Sequence, residues 1–106
     1  MKPIVDKVAR KLRDALRDSI TSFEGLYIFG SQVRGDISED SDVDIVAIFE
    51  QDRFSLPDEF HYIISQIRHD YYDIVDLDIL PFTREQLELN YIFHNEVVNK
   101  GVFYGV

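Results

Sequence analysis

Two short apolar runs, joined by a polar segment with a fixed arrangement of glycine, serine and aspartate, constrain the fold of this chain most. The first run, Leu26–Phe29, is rich in aromatic and branched residues and ends at Gly30 and Ser31. Ten residues then lead to Asp42 and Asp44, which open the second run. Apolar runs of this length, bounded by turn residues, are typical of buried strands. The sequence therefore predicts two strands with a polar turn between them.

The two aspartates are predicted to share one face of the second strand. Successive side chains of a strand point to opposite faces, so Asp42 and Asp44 lie on one side and the apolar Val43 and Ile45 on the other. A pair of carboxylates would repel a nucleoside triphosphate unless divalent cations lay between the carboxylates and the phosphates. The pair following a glycine-serine turn therefore indicates a metal-dependent nucleotide site.

The turn after the first strand has the features of a phosphate contact. Gly30 allows the backbone to approach a ligand, and Ser31 offers a hydroxyl. If Gln32 begins a short helix, its free amides would point at a phosphate over the turn. Arg34 carries a planar cation suited to phosphate oxygens or to a nearby carboxylate, and Gly35 then lets the chain turn back. Each half alone could be an ordinary polar loop, but the fixed order of the whole segment favours a functional site.

At these residues the chain resembles the minimal nucleotidyltransferases of the polymerase beta superfamily. Their signature is Gly-Ser, a ten-residue spacer and Asp-x-Asp, and the match extends to Arg34, Gly35 and Ser41. The resemblance implies an α+β nucleotidyltransferase fold, in which a small mixed sheet has helices packed on one face.

The resemblance also implies roles for individual residues. Gly30, Ser31 and Arg34 would bind the nucleotide phosphates. Asp42 and Asp44 would be catalytic ligands of two Mg²⁺ ions, with ATP as the substrate. The family has a third carboxylate on a later strand.

Only residues 72–80 have the composition for that later strand, and three aspartates compete for the role. Alternation places Asp76 and Asp78 on one face and the apolar set on the other, whereas Asp73 would point with the apolar set. Asp76, expected in mid-strand, is the first choice for the third catalytic and metal-binding residue, followed by Asp78 and then Asp73.

The remaining patterns predict helices around these strands. Apolar residues at helical spacing indicate an amphipathic first helix over 4–20 and a second helix over 57–69. Thr83 begins a capping box for a helix predicted to end at Gly101, and residues 102–104 could add a last strand. With no repeat or linker, the 106 residues are predicted to form a single domain, residues 1–106.

Composition narrows the function classes. The 20 acidic and 11 basic residues give a net charge of −9, which opposes binding to a nucleic-acid backbone. No apolar run is long enough to cross a membrane. The chain has no cysteine, and its amino terminus lacks the apolar core of a secretory signal, so a cytoplasmic location is expected.

Many members of the resembled family are encoded beside a helical HEPN toxin and act as its antitoxin by transferring AMP from ATP to a toxin tyrosine. By resemblance, this chain is expected to be such a protein adenylyltransferase, in a possible hetero-oligomer with a HEPN protein. A nucleotide-binding antitoxin that neutralises its partner by occlusion, and transfer to a small hydroxyl compound, stay open as alternatives. A purely structural protein is the least favoured.

Overall fold

The computed structural model describes residues 1–35, 42–52 and 55–106, and a four-stranded mixed sheet organises them. The first half contains α1 (Pro3–Ser19), β1 (Phe23–Phe29), α2 (Ser31–Arg34) and β2 (Val43–Phe49). The second half contains α3 (Asp58–Tyr71), β3 (Leu77–Phe82), α4 (Arg84–Glu88), α5 (Tyr91–His94), a π-helical turn (Asn95–Asn99) and β4 (Val102–Gly105).

The strand order is β3-β2-β1-β4, so β2 lies inside the sheet between β1 and β3. β1 runs antiparallel to β2 and pairs Phe29 with Asp44. β3 runs parallel to β2 and pairs Leu77 with Val43 and Asp78 with Asp44. The end of β1 and the beginnings of β2 and β3 therefore meet at one end of the sheet, where the predicted site residues cluster.

The two long helices cover one face of the sheet. α1 begins with a proline, which suits a first helical turn, and buries an apolar stripe that includes Val8, Leu12 and Leu16. α3 adds Phe60, Ile64 and other residues to the same core. The predicted spacing of both helices is thus confirmed. Within the described residues, no helix is long and apolar enough to cross a membrane.

The opposite face of the sheet is covered in part by the short C-terminal helical segments. Val46 and Ile48 of β2 pack there with Leu87 and Val97. The predicted α+β fold, a small mixed sheet with helices, is confirmed, and these segments add a second, smaller apolar layer. β2 is buried on both faces. Its side chains alternate between the faces, so Asp44 lies on the face of the smaller apolar layer and Val43 and Ile45 lie in the main core.

One continuous helix from Thr83 to Gly101 was expected, and this prediction is wrong. The capping box itself is present, since the Thr83 hydroxyl accepts from the Gln86 amide and the Gln86 side chain accepts from the Thr83 amide. The helix stops after five residues, however, and Asn90 caps a new one by accepting from the Phe93 amide. Asparagine competes with the helical backbone in this way, so it starts a helix more readily than it continues one.

The third carboxylate strand begins later than predicted. α3 continues to Tyr71, and the amides of Ile74 and Val75 both donate to its carbonyl oxygen. β3 then starts at Leu77, so Asp76 lies at the strand entrance and its expected mid-strand position is wrong. β3 is an edge strand, which is why it accommodates Pro81.

Candidate active site

Gly30 and Asp44 form the centre of the site because their backbones lie side by side. Phe29 pairs with Asp44 across the antiparallel strands, and Gly30 follows directly. A Cβ atom on Gly30 would lie 2.7 Å from Oδ2 of Asp44, and the glycine has φ +81° and ψ −148°. The dihedral angles favour glycine, and any added Cβ would also force the Asp44 carboxylate to move. The glycine of the predicted phosphate turn thus contacts the second aspartate of the predicted metal pair.

A short helix, α2, follows Gly30 and begins at Ser31, so the condition under which its amides could meet a phosphate is fulfilled. The carbonyl of Gly30 accepts from the amides of Val33 and Arg34, each at 3.1 Å. These are the first amides that the helix itself uses, so its own hydrogen bonds leave out the amides of Ser31 and Gln32. Ser31 is half-buried beside Gly30. Ser41 of the predicted motif lies outside the described residues.

Asp44 is in an unfavourable environment for a carboxylate. Burial raises its pKa, and the charges of Asp78 and Asp42 raise it further, while Arg34 opposes the shift. The folded protein therefore holds Asp42 and Asp78 close enough to repel the charge of Asp44. A divalent cation among them would remove that repulsion, as it does where carboxylates share a metal.

The three candidates for the third carboxylate are placed differently. Asp78 is the direct neighbour of Asp44 in the parallel register and is exposed at the sheet end. Asp76 lies one residue before β3, and its carbonyl oxygen accepts from the Val43 amide at 2.8 Å, which sets it beside Asp42. Asp73 lies in the turn after α3 and is exposed. Of the three, Asp78 lies nearest to Asp44 in the sheet.

A cleft of about 410 Å³ opens along the start of β3. Its lining includes three carboxylates, Asp42, Asp76 and Asp78, together with Arg68 and Tyr72 from the end of α3. Nη2 of Arg68 donates to the Leu77 carbonyl oxygen at 3.4 Å, which joins the end of α3 to the first residue of β3. The cleft is therefore acidic on its sheet side and has a cation and a phenol on its helix side.

Arg34 contacts a carboxylate, one of the two roles that its sequence position suggested. Its Nη1 donates to Oε1 of Glu96 at 2.7 Å, and Lys100 approaches the same carboxylate at 3.6 Å. This ion pair connects α2 to the π-helical turn. Because Arg34 is half-exposed, the pair contributes more to the position of the guanidinium than to stability.

The donor set suits magnesium. Mg²⁺ binds carboxylate oxygens and usually keeps waters or substrate phosphates as its other ligands. Within the described residues, no three acidic or histidine side chains already converge as a metal site. Asp42, Asp44 and Asp78 instead lie in an open arrangement at one end of the sheet.

Sequence patterns did not identify Arg68 and Tyr72 as cleft residues. Both are exposed; Arg68 lies in the last turn of α3, and Tyr72 directly follows its last residue, Tyr71. Their position is determined by how α3 packs against the sheet, and no local sequence motif indicates that packing. The preference for Asp76 over Asp78 also depended on a strand boundary, and the register that decides between them is a tertiary property.

Comparison with known proteins agrees with this geometry. The profile of the family described as "Nucleotidyltransferase domain" matches residues 9–103. No curated protein matches the chain. A protein from Sulfolobus solfataricus, described as a candidate nucleotidyltransferase, has a similar structure, with TM-score 0.58, 24% identity, and coverage of 92% of this chain and 77% of that one.

Two further similar structures are toxin–antitoxin complexes. One contains AMP-PNP and aligns with TM-score 0.61 at 22% identity, covering 95% of this chain and 73% of that chain. The other is a tri-AMPylated HEPN toxin from Shewanella oneidensis with its MNT antitoxin, with TM-score 0.58, 18% identity, and coverage of 96% and 73%. At these identities the likeness establishes the shared fold. Together with the profile match over most of its length, it shows that the chain belongs to the nucleotidyltransferase domain family.

Proposed function

We propose that this protein transfers AMP from ATP to a tyrosine hydroxyl of a HEPN partner, in a reaction that depends on Mg²⁺, and thereby acts as an antitoxin. The observation that carries the proposal is the contact between Gly30 and Asp44, with Asp42 and Asp78 beside it. This arrangement brings a phosphate turn and a metal-binding carboxylate set within reach of one nucleotide. The similar toxin–antitoxin structures support the choice of partner.

The phosphate side of the site is assigned to the turn after β1. Gly30 allows the triphosphate to approach the backbone, and the hydroxyl of Ser31 and the free amides of α2 would bind its β and γ oxygens. Arg34 would add charge from the side where Glu96 holds it. These groups position the nucleotide and stabilise charge on the leaving pyrophosphate, and they form no covalent bond.

The carboxylate side would hold the metal ions and the acceptor. When bound, two Mg²⁺ ions would neutralise the triphosphate and activate the acceptor hydroxyl. Asp42 and Asp44 would hold both. The register favours Asp78 as the third ligand, because it is the neighbour of Asp44, and places Asp76 beside Asp42 on the cleft wall. The acceptor hydroxyl would then attack the α-phosphorus while pyrophosphate leaves on the opposite side.

Matched variants can test whether Asp78 or Asp76 is the third metal ligand. Asp78→Asn should reduce the transfer rate by a factor on the order of 100 or more, comparable to Asp42→Asn, because it removes a metal ligand. Asp76→Asn should have the smaller effect. The reverse ranking in transfer rates would restore Asp76 as the third ligand.

The function is tested by intact-mass spectrometry of the proposed HEPN partner. After incubation with this chain, ATP and Mg²⁺, the HEPN protein should gain mass in steps of one AMP. The gain should disappear with the Asp42→Asn, Asp44→Asn double variant. A tight complex with no mass gain would contradict transfer and support neutralisation by binding alone.

A further inference from the structure

Tyr72 is held in the acidic cleft by the way α3 ends. It follows the last residue of α3 and is 75% exposed, whereas its neighbour Tyr71 is buried in the main core. The amides of Ile74 and Val75 both donate to the Tyr71 carbonyl oxygen, at 3.0 Å. These contacts fix the turn from both sides, so the phenol of Tyr72 projects from an anchored segment.

Tyr72 lines the same cleft as the groups that the proposed reaction uses. Tyr72 shares the cleft lining with Asp42, Asp76 and Asp78. The phosphate turn at Gly30 lies across β2, on the far side of Asp44. A nucleotide bound between them would therefore have its β- and γ-phosphates toward Gly30 and its α-phosphorus toward the cleft. Tyr72 lines this cleft, on the opposite side of β2 from the phosphate turn.

No other tyrosine of the chain has this position. All six tyrosines lie in the described residues, and Tyr27, Tyr71 and Tyr104 are buried. Tyr62 on α3 and Tyr91 on α5 are exposed by 71% and 82%, but neither belongs to the lining of this cleft. The chain thus supplies its own matched controls for a test of Tyr72.

We propose that Tyr72 is an acceptor of AMP within the same molecule, a self-modification that rests on the proposed transfer activity. The Tyr72 Oη atom would form a bond to the α-phosphorus of ATP, and the bond from that phosphorus to the oxygen bridging the α- and β-phosphates would break. Pyrophosphate leaves with the electron pair of that bond, and the phenolic proton passes to a carboxylate of the cleft. The product is a tyrosine–AMP phosphodiester, and no group is oxidised or reduced.

Modification at Tyr72 has a consequence for the partner reaction. The attached AMP would occupy the cleft and add a negative charge beside Asp76 and Asp78. A partner tyrosine could then no longer reach the same position. Self-modified protein is therefore expected to transfer AMP to its partner more slowly than unmodified protein.

The test uses the full chain alone, with ATP and Mg²⁺, followed by intact mass and peptide mapping. One AMP is expected on Tyr72, at a rate per molecule that does not change with protein concentration. Tyr72→Phe, which keeps the ring and removes the hydroxyl, should abolish the gain, and Asp42→Asn should do the same. Tyr62→Phe should retain it. An AMP on another residue, or an undiminished gain in Tyr72→Phe, overturns the proposal.

A second measurement locates Tyr72 without catalysis. In protein labelled with 3-fluorotyrosine, Mn²⁺ alone should broaden the fluorine signal of Tyr72, assigned with Tyr72→Phe, more than those of Tyr62 and Tyr91. Equal broadening of all three would contradict the placement of Tyr72 beside the metal-binding carboxylates.

The two proposals fail in different ways. If the HEPN protein gains AMP while Tyr72 gains none, the self-modification is refuted and the proposed function stands. If neither protein gains AMP, both are refuted.

Discussion

Substitution of Gly30 by alanine should damage the site far more than it damages the fold. Gly30 has φ +81° and ψ −148°, a region that is essentially restricted to glycine, and a residue forced into it costs roughly 1–3 kcal/mol. The new Cβ atom would also lie 2.7 Å from Oδ2 of Asp44. That atom belongs to a side chain that can rotate, so the carboxylate would move away from its proposed metal-binding position. A displacement on the order of 1 Å costs roughly 100-fold in rate at a catalytic group.

Gly35→Ala is the matched control for this prediction. Gly35 also has a positive φ, +86°, but its added Cβ would meet no described atom within 4 Å. A left-handed alanine there costs about 1–2 kcal/mol. Urea unfolding should therefore show comparable losses in the two variants, while the AMP transfer rate falls about 100-fold in Gly30→Ala and only several-fold in Gly35→Ala. Equal rate losses, or an active Gly30→Ala, would refute the argument that Gly30 positions Asp44.

Three further predictions concern pH, hydrogen bonding and capping. Because the pKa of Asp44 is raised in the folded state, its ionisation reduces stability as pH rises from the ordinary 3.8 through the raised value. Metal-free Asp44→Asn should therefore melt at a higher temperature than the wild type at pH 7, and a lower one would contradict this. Tyr104 donates to Asp6 at 2.7 Å, and burial followed by that bond raises the pKa of Tyr104 to about 12. At pH 8, Tyr104→Phe should have a lower free energy of unfolding than the wild type in chemical unfolding. This difference should shrink between pH 10 and about 12 as Tyr104 of the wild type ionises. A difference that stays constant over this range would count against the bond. Thr83→Ala removes one half of the capping box and should cost about 1 kcal/mol in urea unfolding, whereas Thr83→Ser should cost little.

The part of the site that local patterns could predict is the part that lies within single strands and turns. Alternation along β2 placed Asp42 and Asp44 on one face, and the contacts of Val46 and Ile48 with the smaller apolar layer agree with it. The glycine and serine at residues 30 and 31 indicated a turn at the end of the first strand, and β1 does end there, at Phe29. These features depend on neighbouring residues and on a period of two, both of which are visible in sequence.

The remaining features depend on contacts between residues that lie far apart in the sequence, which no local periodicity reveals. Whether Asp78 or Asp76 stands beside Asp44 depends on the parallel register of two strands separated by α3. The ion pair between Arg34 and Glu96 joins residues 62 positions apart. The position of Tyr72 follows from how far α3 continues before it turns. Each is decided by packing, so sequence reasoning could name Asp76, Asp78 and Arg34 but neither their arrangement nor the parts played by Glu96 and Tyr72.

Nucleotidyl transfer by this site can be followed with ATP labelled at either the α- or the γ-phosphate, incubated with this chain, the HEPN partner and Mg²⁺. The α label should enter protein and the γ label should leave as pyrophosphate, in equal amounts, and both should be lost in the Asp42→Asn, Asp44→Asn variant. Entry of the γ label into protein, or release of single phosphate without entry of the α label, would contradict nucleotidyl transfer by this site.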